Sequence, residues 1–70
     1  MLDQLRREVE TAVRDATGDF PEVNPDDIFH DAAHNICTDW YLSQDPEKEQ
    51  AVKEFWRRNF GQAFEDTLYS

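Results

Sequence analysis

His30, His34 and Cys37 are the side chains in this chain whose types and spacing come nearest to a reactive or metal-binding constellation. On a helix turning about 100° per residue, all three fall within roughly 60° of one another, with Tyr41 on the same line. Two imidazoles four residues apart can chelate Zn²⁺ or a similar ion, and a thiolate three residues on would be a third ligand. Asp26 or Asp27 could then steady an imidazole from behind. A compact structural zinc site uses four protein ligands, however, and one Cys and two His do not supply them. The run His-Asp-Ala-Ala-His also lacks the glutamate of the His-Glu-x-x-His metalloprotease pattern. The stripe is therefore expected to pack at the border between apolar and polar faces. Cys37 is read as a small hydrophobe at the edge of the core. No catalytic residue and no cofactor is expected, and the chain is not read as an enzyme.

The second constellation is electrostatic. The net charge is −9 over 70 residues. Residues 1–14 balance Asp3, Glu8 and Glu10 against Arg6, Arg7 and Arg14, and residues 48–70 balance Glu49, Glu54, Glu65 and Asp66 against Lys48, Lys53, Arg57 and Arg58. Between them stand Asp15, Asp19, Glu22, Asp26, Asp27, Asp31, Asp39, Asp45 and Glu47 with no Lys or Arg, so the whole imbalance lies in the middle of the chain. Three pairs, Asp15/Asp19, Glu22/Asp26 and Asp27/Asp31, are four apart. On a helix that spacing sets like charges about 5–6 Å apart, at a cost of a few tenths of a kcal/mol per pair. An array of this kind attracts the Lys/Arg grooves that proteins use to hold nucleic acid. The plainer alternative is that the acids serve solubility or suit a salty cytoplasm. Trp56-Arg57-Arg58 could suggest direct contact with nucleic acid, but the net charge of −9 opposes the basic footprint of such proteins.

Composition limits what can position these groups. Seventy residues make a single domain, 1–70, near the lower limit for one stable core. Hydrophobic content of 39% and aromatic content of 13% are too high for an intrinsically disordered chain. No apolar run approaches the roughly 18–20 residues that cross a bilayer. The first residues lack the apolar stretch of a secretion signal, and a lone cysteine cannot build a disulfide framework. A cytoplasmic protein is expected.

The periodicity predicts an all-α fold, an antiparallel three-helix bundle with helices at about 2–16, 25–42 and 46–60. Leu2, Leu5, Val9, Ala12, Val13 and Ala16 form the first apolar stripe, and Thr17-Gly18 reads as its stop. Phe20-Pro21-Glu22-Val23 is a short connector. Asn24 caps the second helix, with Pro25 at its first position, Asp27 imitating a capping box and Val23 with Ile28 at staple spacing. Its inward stripe is Ile28, Phe29, Ala32, Ala33, Ile36 and Trp40. Asp45-Pro46 repeats the start signal for the third helix, whose apolar arc of Ala51, Val52, Phe55, Trp56, Phe60 and Ala63 spans about 180°. Gly61 either kinks this helix or separates a short fourth piece, 62–68, carrying Phe64 and Leu68.

These features are read as a protein-binding module without membrane or direct nucleic-acid contact. Its acidic side, comprising Asp15, Asp19, Glu22, Asp26, Asp27, Asp31 and Asp39 with Tyr41 or Leu42 as apolar anchor, docks on a basic surface of a nucleic-acid-binding partner. One setting is a phage- or plasmid-type inhibitor of a host defence complex, a DNA mimic of the anti-restriction or anti-CRISPR kind, by analogy of size and charge. The alternative is a self-associating structural or regulatory domain, a homodimer bridged by metal through His30 and His34.

Overall fold

The computed structural model describes residues 1–68 of the chain. It is 82% helical, and no strand occurs among the described residues. Four helices follow in order: α1 Leu2–Asp19, α2 Pro25–Leu42, α3 Pro46–Phe60 and α4 Phe64–Leu68. The three long helices pack against one another, and the short α4 folds back on α3. No helix among the described residues is long and apolar enough to cross a membrane.

Local chemistry sets the helix starts. Asn24 Oδ1 accepts from the Asp26 amide at 2.9 Å, and Asp45 Oδ1 accepts from the Glu47 amide at 3.0 Å. Each cap thus satisfies one of the amides a helix start leaves without a partner, and a proline follows it where no amide is needed. Asp26 and Asp27 open α2, and Glu47 and Glu49 open α3, at the positive ends of the helix dipoles.

The helix ends differ from the pattern in one place. Gly18 does not adopt a left-handed conformation, and α1 continues through it to Asp19. What stops α1 is Pro21, which disfavours helical geometry in the residue before it. Phe20 accordingly leaves the helix at φ −130°, ψ 68°, while its amide still donates to the Ala16 carbonyl at 2.8 Å. Gly61 resolves the other choice: at φ 68° it ends α3 as a left-handed cap and frees α4 as a separate piece. That piece starts at Phe64, so Ala63 is an exposed linker residue and not part of the α3 arc.

The core joins Leu5 and Val9 of α1, Ala33, Cys37 and Trp40 of α2, Ala51, Val52, Phe55 and Trp56 of α3, and Phe64 of α4. The expected inward stripe of α2 is rotated. Cys37 is fully buried, whereas Phe29, Ala32 and Ile36 are only half-buried. Trp56 is the hub, with ring centroids 4.2 Å from Phe60 and 5.1 Å from Phe64. Its indole Nε1–H is buried without a hydrogen-bond acceptor.

Candidate protein-docking face

Rotation of α2 divides its exposed side between two seams. Towards α3 and α4 lie His30, His34 and Tyr41. The two imidazoles are stacked with centroids 6.5 Å apart, and both stand edge-on to Trp56, at 5.6 Å for His30 and 6.1 Å for His34. His34 and Tyr41 also cover Phe64, at 6.1 Å and 5.6 Å. These rings form a lid over the core. Burial pushes the Cys37 thiol up to about 12, so it stays protonated at neutral pH. Among the described residues no group of three or more His, Cys, Asp or Glu is arranged to hold a metal ion.

The second seam, between α1 and α2, holds the acids. Asp27, Asp31, Asn35 and Asp39 follow one another at four-residue steps along α2, and Asp15 and Asp19 do so along α1. All are exposed, as are Glu22 and Asp26 of the connector region. A groove of about 420 Å³ runs along this seam, lined by Asp31 and Asn35 and by the small residues Ala12, Ala16 and Ala32. Phe20 and Val23 of the connector also line it, and remain 55% and 40% exposed. Asp15 borders the adjoining hollow with Ala12 and Ile36.

Ion pairing leaves these acids out, although Arg7 lines the hollow that Asp15 borders. The ion pairs among the described residues join Arg6 to Asp3 and Glu10, Lys53 to Glu49 and Glu65, and Arg58 to Glu54. Every one lies on α1 before residue 11, on α3 or between α3 and α4. None involves Asp15, Asp19, Glu22, Asp26, Asp27, Asp31 or Asp39. The lining of three other hollows mixes both signs: Lys53 and Arg57 with Glu47 and Glu54, Arg7 with Glu8 and Asp15, and Arg6 and Arg58 with Asp3. The lining of the α1–α2 groove contains an acid and no cation.

The structure therefore brings Asp31 to the α1–α2 groove and Asp15 to the hollow beside it, leaves Asp19 and Asp27 exposed one helical turn from them, and places Tyr41 on the other seam. Leu42 is 68% exposed at the end of α2, away from the groove. Sequence reading missed Phe20 and Val23 as apolar groups of the acidic side. Their signal was present: a large ring in a proline-containing connector flanked by acids has no helix stripe to join. The α3 arc is covered by the other helices, because Ala51, Val52, Phe55 and Trp56 are all buried, and no large exposed hydrophobic lies on α3.

The fold and face define a small all-α bundle with a groove between α1 and α2 whose lining holds an acid and no cation. The chain matches no family model, and no characterised protein or solved structure is significantly similar to it.

Proposed function

We propose that the chain is a binding module that docks its α1–α2 side on a basic surface of another protein, and that this surface is one used to hold nucleic acid. The observation that carries the reading is the array of exposed carboxylates on α1, the connector and α2 with no ion pair to any of them. Unpaired acids repel one another, and beyond Asp26 and Asp27 at the start of α2 folding gains nothing from the arrangement. A surface rich in Lys and Arg removes that repulsion on contact, and the field of the array speeds the encounter. Because the same cations hold phosphates, the bound module would exclude nucleic acid. An inhibitor of a nucleic-acid-binding defence complex is the setting that best suits such a device.

The test is association kinetics with a partner captured from the native host. The on-rate should fall steeply as salt is raised, and duplex DNA should compete for the same surface. Double replacement Asp27→Lys and Asp31→Lys should slow association about tenfold or more, with the circular dichroism spectrum unchanged. Binding that ignored both salt and these replacements would exclude the proposal.

A further inference from the structure

We infer that the α1–α2 groove is the specificity pocket of this face, and that it takes an apolar side chain carried on a Lys/Arg-rich segment of the partner. The inference rests on the docking reading above and adds the chemistry of the occupant. Charge alone would select any cationic surface, because exposed carboxylates carry no shape. The groove supplies the shape. Alanines on both helices, Ala12 and Ala16 against Ala32, leave room along the seam that larger side chains would fill. Its volume of about 420 Å³ falls within the range of roughly 300–1,000 Å³ typical of pockets that bury a ligand. Phe20 and Val23 keep large apolar area in water at its edge, which a bound apolar group would cover.

Charge decides between occupants. A second copy of this chain would bring a net charge of −9 to a seam already edged by acids. A neutral apolar ligand would leave those carboxylates without partners. A cationic segment with an apolar residue satisfies both, with its Lys or Arg meeting Asp31 of the groove and Asp15 beside it while its apolar side chain enters the groove. This is the arrangement of an interface with an apolar centre and a polar rim.

The test uses the whole chain and three designed peptides of equal length. One carries Leu at helical spacing among Lys, the second replaces each Leu by Ser, and the third keeps Leu but replaces Lys by Glu. Calorimetry should give about tenfold tighter binding for Lys/Leu than for Lys/Ser, and none for Glu/Leu. Amide shifts should centre on Ala12, Ala16, Val23 and Ala32. Phe20→Ser and Val23→Ser, at exposed positions, should erase the preference for Leu, while Leu42→Ser should preserve it. Equal binding of both Lys peptides would overturn the pocket and leave the charge reading standing. Failure of both Lys peptides to bind at low salt would overturn both readings. Binding of Glu/Leu, or sedimentation as a dimer that covers the groove, would overturn the cationic occupant.

Discussion

The Val23 amide donates to the Phe20 carbonyl at 3.1 Å, closing the connector into one turn that sets both side chains along the α1–α2 groove. Neither residue belongs to the main core, and both stay substantially in water. Replacing either by alanine should therefore cost under about 1 kcal/mol in urea unfolding. Leu5→Ala, at a fully buried site, should cost about 2–5 kcal/mol. Comparable losses at Phe20 and Leu5 would mean that the connector is structural.

Asp31→Lys should not destabilise the fold. It replaces a like-charge pair with Asp27 by an attractive one at four-residue spacing, a gain of about 0.2–0.5 kcal/mol. Asp27→Lys should instead cost roughly 0.3–1 kcal/mol, because Asp27 lies in the first turn of α2. Thermal unfolding of the two single variants checks the contrast in sign.

The two glycines should respond oppositely to alanine. Gly18 is helical and a Cβ there meets nothing within 4 Å, so Gly18→Ala should stabilise by about 0.5 kcal/mol. At Gly61 the space is equally open, but φ is 68°, and Gly61→Ala should cost about 1 kcal/mol through backbone strain alone. Denaturant midpoints at constant slope would show both.

Stability should decline in alkali. The Cys37 thiol is raised from 9.0 to about 12 by desolvation, so the unfolded chain loses this proton first. Its contribution is complete below pH 9 and falls by about 1.4 kcal/mol per pH unit above it. Lys53 is also raised, through its hydrogen bond with Glu65 and the charges of Glu65 and Glu49, and its contribution is likewise lost as pH rises through the folded value. Cys37→Ala should abolish the steep part of the decline. In the native protein at neutral pH, a disulfide reagent should modify Cys37 only as fast as the chain opens.

Trp56 offers a fourth comparison within the core. Trp56→Ala should cost about 3–5 kcal/mol. Trp56→Phe should cost far less, because it also removes a buried N–H that has no acceptor, itself a penalty of roughly 1–3 kcal/mol.

What could be read from the sequence was what neighbouring residues decide. Asn24-Pro25 and Asp45-Pro46 announce their helices because cap and first amide are two residues apart. The end of α1 was misread, since a glycine permits a left-handed turn without requiring one, and Pro21 three residues later is the actual stop. The depth of Cys37 was also underestimated. Cys37 lies in a core that α1, α3 and α4 all help to close, and none of those contacts is local in sequence. The acids were visible as a list and the groove was not. Ala12, Ala16 and Ala32 look like ordinary stripe residues until the packing of α1 and α2 shows that they share a hollow with Ile28 and Ile36.

Ion pairing confined to α1 before residue 11, to α3 and to the α3–α4 joint has a consequence for how the molecule travels. The net charge of −9 falls wholly on residues 15–47, so under the proposed docking the field would act on one stretch of the chain more than on its ends. Such a field would turn that stretch towards a cationic surface before contact and shorten the orientational search that slows most protein encounters.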